Sequence, residues 1–132
     1  DQIRIEVYSE PGLLRDSIYS ILASFNFVKI IRPSTAAIPG TDATDQEYPD
    51  LIVIDCRTQF DFLDAFCSLK STHPEIKLLV VADSLSNREL ALNKCVDYVL
   101  MKGFSNRELQ PIVQEVFHKL KGNENRRFQD EF

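Results

Sequence analysis

An aspartate, Asp55, ends the most apolar run of the chain, LIVID (residues 51–55), and a lysine, Lys102, directly follows another run, YVLM (residues 98–101). A carboxylate at the rim of a buried strand is partly desolvated, and an ammonium at the end of a neighbouring strand is placed to neutralise it. Two readings stay open for such a pair, a structural ion pair and a site of chemistry. The ends of two other apolar runs supply Tyr8, Ser9 and Glu10, and then Val81, Ala82 and Asp83. Cys56 follows Asp55 and so lies near the same rim, where a reactive thiol would need a cation to lower its pKa; Lys102 is the obvious one, and a plain buried thiol is the simpler expectation. His73 precedes a proline and His118 lies in a polar helix pattern, so both read as solvated surface residues. Phe60, Phe62 and Phe66 read as packing residues. The turn Glu10-Pro11-Gly12 is a poor phosphate cradle without further glycines, which leaves nucleotide or flavin binding, and with it a flavodoxin-like small-ligand-binding domain, as a lesser alternative.

These groups are carried by 132 residues, enough for one domain with one packed core. Apolar residues make up 44% and charged residues 27%, which excludes collagen-like, low-complexity and wholly disordered chains. Fifteen Lys and Arg against 20 Asp and Glu give a formal charge of −5, a surface that repels phosphate backbones and disfavours direct nucleic-acid binding. No apolar run approaches the roughly 20 residues of a membrane span, and no signal-peptide order opens the chain. Three cysteines, Cys56, Cys67 and Cys95, form no paired framework and no C-x-x-C, which predicts free thiols and a cytoplasmic location. A first residue of Asp rather than Met suggests a longer parent protein.

The positioning elements alternate. IRIEVY (3–8) is a strand, and Leu13, Leu14, Ile18, Ile21, Leu22 and Phe25 recur at helical spacing after it. FVKII (27–31) is a second strand, whereas residues 32–50, with three prolines, predict an irregular loop or one helical turn. LIVID is apolar at four successive positions, as a parallel strand buried on both faces must be. A helix over about 59–72 places Phe62, Leu63, Phe66 and Leu69 inward, and IKLLVVA (76–82) is the fourth strand. Ser86 with Glu89, and Ser105 with Glu108, form candidate capping boxes for helices over 87–94 and from 105 onward. The latter buries Leu109, Ile112, Val113, Val116, Phe117 and Leu120. YVLM is the fifth strand, and residues 121–132 read as a fraying tail or linker beyond a domain spanning 1–120. Strands alternating with helices require a parallel sheet with right-handed crossovers, an α/β doubly wound sandwich whose ligands sit at the carboxyl ends of the strands.

The ordered set PDLIVID (49–55), LLVVA (78–82) and YVLMKGFS (98–105), with EPGLLRDSI (10–18), resembles the receiver domain of two-component response regulators from residue 3 to about 120. The resemblance implies the five-stranded order 2-1-3-4-5, with Asp55 as the acceptor of a phosphoryl group from a histidine kinase and Lys102 as its contact. The departures lie in the same places. Where the family carries two acids that hold Mg²⁺, an ungapped match gives Tyr8 and Ser9, neither of them a carboxylate, so the metal site is expected to be lost; were Mg²⁺ still held, Asp55 and Glu10, one position later, would be its ligands. Val81 replaces the hydroxyl residue of the fourth strand, and Val99 replaces the switching aromatic of the fifth. Tyr98 would face the opposite side unless a bulge intervenes, and Gly103 stands where the family commonly has proline.

The resemblance, so altered, implies an atypical receiver, or pseudo-receiver, that is not an enzyme and needs no cofactor, with Asp55 and Lys102 as a structural ion pair. Its expected partners are a histidine kinase or another signalling protein, and a second copy docked through the helix over 87–94, the fifth strand and the last helix. DNA would be reached only through a separate effector domain, as in a transcriptional regulator. The alternative is a phosphorylatable receiver with an unusual Mg²⁺ arrangement.

Overall fold

The computed structural model describes residues 2–31, 48–55 and 61–130; of residues 61, 62, 121 and 123–130 it describes the backbone alone. Five strands form one parallel sheet in the order β2-β1-β3-β4-β5, as the resemblance implied. They are β1 (Ile3–Tyr8), β2 (Val28–Ile31), β3 (Leu51–Asp55), β4 (Lys77–Ala82) and β5 (Tyr98–Met101). Four helices connect or follow them, α1 (Leu13–Ala23), α2 (Asp61–Thr72), α3 (Leu85–Leu92) and α4 (Asn106–Asp130). The segment expected to be an irregular loop lies almost wholly outside the described residues, as do Cys56 and Phe60.

Every residue of β3 is buried, because both of its faces are covered. Period-two alternation sends its residues to two cores. Leu51 and Val53 join Ile3, Ile5 and Val7 of β1 and Val81 of β4 beneath α1 and α4, whereas Ile52 and Ile54 join Val80 and Ala82 beneath α2 and α3. Phe66 of α2 fills the second core at 1% exposure, as its helical position predicted. Among the described residues no helix is long and apolar enough to cross a membrane.

Several expectations are corrected. Leu13 does not join the buried stripe of α1; it sits at the first position of the helix, beyond the reach of the sheet, and is 87% exposed. The cap of α3 is Ser84, whose Oγ accepts from the Asn87 backbone N–H at 3.1 Å, so Ser86 falls inside the first turn. Half of the box at Ser105 forms, the Ser105 N–H donating to Glu108 Oε2 at 3.0 Å, while the Glu108 N–H donates to the Ser105 carbonyl at 3.0 Å. Helix α4 does not fray at residue 120 but continues to Asp130. His73 is half-buried, its ring 4.0 Å from that of Tyr48.

The largest correction concerns the thiols. Cys67 of α2 and Cys95, between α3 and β5, form a disulfide across 28 residues with Cα atoms 5.6 Å apart. Two cysteines on separate elements gave no spacing motif to reveal the pairing, and with them joined, cysteine usage no longer supports a cytoplasmic location.

Candidate functional site at the carboxyl rim of the sheet

Asp55 ends β3 at 1% exposure and lies in register with Val81 of β4, itself 1% exposed. The same parity that buries Val7 brings Ser9 to this face, where its Oγ donates to Asp55 Oδ2 at 3.1 Å. A hydroxyl donor thus meets the carboxylate where the resemblance implied an acidic neighbour. Val81 offers that neighbourhood methyl groups and no donor.

Lys102 is held at the rim through its backbone, whose N–H donates to the Ala82 carbonyl at 2.7 Å, while its side chain is exposed. Among the described residues the salt bridges link Lys70 with Asp97, His73 with Glu75, Lys77 with Asp97, Lys94 with Asp64 and Lys119 with Glu115, and none of these joins Lys102 to Asp55. Gly103 follows with φ +92°, a left-handed turn that glycine adopts without the Cβ penalty, so the chain leaves β5 sharply after Lys102.

Tyr8 faces the opposite side of the sheet. Its Oη donates to Glu6 Oε2 at 2.7 Å, and its ring meets Phe66 edge-on at 4.9 Å. Glu6 lies on the same face as Tyr8 and is 9% exposed. Burial pushes the Glu6 carboxyl above the usual range, against the lowering effect of the Tyr8 hydrogen bond; burial and then the neighbouring Glu6 push the Tyr8 phenol up. Glu10 is exposed.

Among the described residues no group of three or more His, Cys, Asp and Glu is placed to hold a metal ion, and the position of the first family acid is taken by a phenol turned toward Glu6.

On β5, Val99 lies in register with Val80 and packs toward α2 and α3. The register is unbroken, so no bulge turns Tyr98 to that side. Tyr98 instead packs beneath α4 and donates from Oη to Glu115 Oε2 at 3.0 Å. The Tyr98 hydrogen bond, then Lys119 at 3.4 Å, hold the Glu115 carboxyl below its usual range. Sequence reasoning missed both phenol–carboxylate pairs. The Glu6–Tyr8 pair was signalled by i, i+2 spacing on one strand; the Tyr98–Glu115 pair joins two elements and left no local signal.

No family model and no curated protein matches the sequence. Solved structures do match. A CheY-like response regulator receiver domain protein of Methanospirillum hungatei JF-1 superposes with TM-score 0.66 at 22% identity, covering 92% of this chain and 99% of that one. The signal receiver domain of an HD domain-containing protein of Pseudomonas fluorescens Pf-5 gives 0.71 at 14% identity, with 95% and 93% covered. A pilus assembly-related protein of Burkholderia pseudomallei K96243 gives 0.67 at 22% identity, with 87% and 89% covered. Together with the strand order 2-1-3-4-5, these likenesses show that the chain has the fold of the CheY-like receiver domains.

Proposed function

We propose that the chain is a receiver-like signalling domain that works as a protein-interaction module, with a rim no longer built for phosphoryl transfer. One observation carries this most directly: Asp55 is buried and accepts from the Ser9 hydroxyl, with Tyr8 turned away to Glu6. A phosphoryl group on Asp55 would bring added negative charge to a site without a metal-binding acid pair, and Val81 has no hydroxyl to bond its oxygens. The domain would then act without an enzymatic step. Its partner would be a signalling protein such as a histidine kinase, or a second copy, docked on the face formed by α3, β5 and α4. A transcriptional output would need an effector domain, since the net charge of −5 opposes DNA contact by this chain.

The competing reading, phosphoryl transfer from a histidine kinase to Asp55, draws support from Asp55 and Lys102 standing at the carboxyl ends of β3 and β5. Asp55→Asn separates the two. Retained signalling output with a shifted melting temperature is the outcome expected of an interaction module. Output lost from a protein that melts as the parent does would contradict it.

A further inference from the structure

Helix α2 and the segment 93–97 that leads into β5 are joined three times. The Cys67–Cys95 disulfide is one link, with both residues half-buried against the core beneath α2 and α3. Lys70 pairs with Asp97, and Lys94 Nζ lies 3.1 Å from Asp64 Oδ1. Asp97 also accepts from the Leu78 backbone N–H at 2.9 Å, which fixes the segment to β4. Meanwhile Leu63, Phe66 and Leu69 hold α2 on the sheet, and Ala91 holds α3, through contacts that do not involve sulfur. Opening the disulfide therefore leaves both cysteines near one another and the sheet intact. Lys94 adjoins Cys95 and Lys70 lies one turn beyond Cys67, each paired with a carboxylate across the same seam.

We infer that Cys67 and Cys95 are a thiol–disulfide exchange site, a latch that a dithiol partner opens and closes to control the segment entering β5. A thiolate of the dithiol attacks one sulfur of the pair, forming a mixed disulfide as the Cys67–Cys95 bond breaks; the released cysteine thiolate takes up a proton. The second thiolate of the dithiol displaces the remaining cysteine, which is protonated in turn. The chain gains two electrons and two protons, and the dithiol leaves as a disulfide. Reduction removes one of the three links and loosens the segment 93–97, and with it the approach to β5, which carries Val99 and is followed directly by Lys102.

The test treats the native protein, in a Cys56→Ser background, with dithiothreitol and reads thiol alkylation by mass and amide hydrogen exchange by residue. The expected result is alkylation of Cys67 and Cys95 without denaturant, exchange across 93–98 faster by about tenfold with β1, β3 and β4 protected as before, and reversal by oxidised dithiothreitol. The double variant Cys67→Ser, Cys95→Ser should show the reduced pattern and no response to dithiol. A pair that resists reduction until denaturant is added would overturn the inference. So would loss of protection throughout the sheet on reduction, unchanged exchange at 93–98, or thiols that oxidised dithiothreitol fails to pair.

Discussion

Glu6 and Tyr8 form a buried phenol–carboxylate pair on the face of the sheet opposite Asp55. A carboxylate buried to 9% exposure is costly unless hydrogen-bonded, and the phenol two residues on supplies the donor. Because burial raises the Glu6 pKa above its unfolded value, the folded protein holds the proton more tightly than the unfolded chain does. That contribution to stability is complete below the ordinary glutamate range and is lost as pH rises through the raised value. Glu6→Gln, which keeps an acceptor for Tyr8 and removes the charge, should raise the melting temperature at neutral pH and flatten its decline between acid and neutral pH. Melting curves across that range check this; a lower, equally pH-dependent midpoint would count against it. The sequence placed Asp55 and Val81 at or near strand ends, which are set by local pattern, and the structure brings them to one face with Ser9, while Val99 faces the other. It gave no sign that Ser9 would meet Asp55, because side-chain pairing across strands is decided by facing parity and reach.

Helix α3 and its surroundings carry the element-scale lessons. Ser84 and Ser86 both precede helix-period residues, and a box pattern with Glu89 favours the second, but the chain caps with the first. Asp83 reinforces this start by accepting from the Asn87 side chain. Ser84→Ala should cost about 1 kcal/mol and Ser86→Ala less than about 0.5 kcal/mol, read by denaturant unfolding; the reverse order would return the cap to Ser86. The disulfide closes a 28-residue interval, for which loop-closure entropy gives about 3–4 kcal/mol. Against a typical domain stability of about 5–15 kcal/mol, reduction should leave the protein folded at room temperature with a melting temperature lower by on the order of 10 °C. An unchanged midpoint in a reducing scan would show that the link adds nothing. Strands and helices were legible because their periodicities are local; the Cys67–Cys95 pairing was not, since it depends on where α2 and the α3–β5 turn meet.

For the molecule as a whole, the alternation of strands and helices, with the buried-strand pattern of β3 and β4, was enough to predict a parallel sheet, and the family resemblance implied its strand order. Core and rim are set by different residues, so the fold does not by itself fix the chemistry at its edge. A Mg²⁺-dependent phosphoacceptor needs several carboxylates converging on one point, whereas the sheet needs only apolar alternation beneath them. The most direct measurement is intact-protein mass after incubation with acetyl phosphate and Mg²⁺, with Asp55→Asn as control. The mass should stay unchanged in both proteins. Gain of one phosphoryl group by the parent and not by Asp55→Asn would show a working phosphoacceptor and contradict the account.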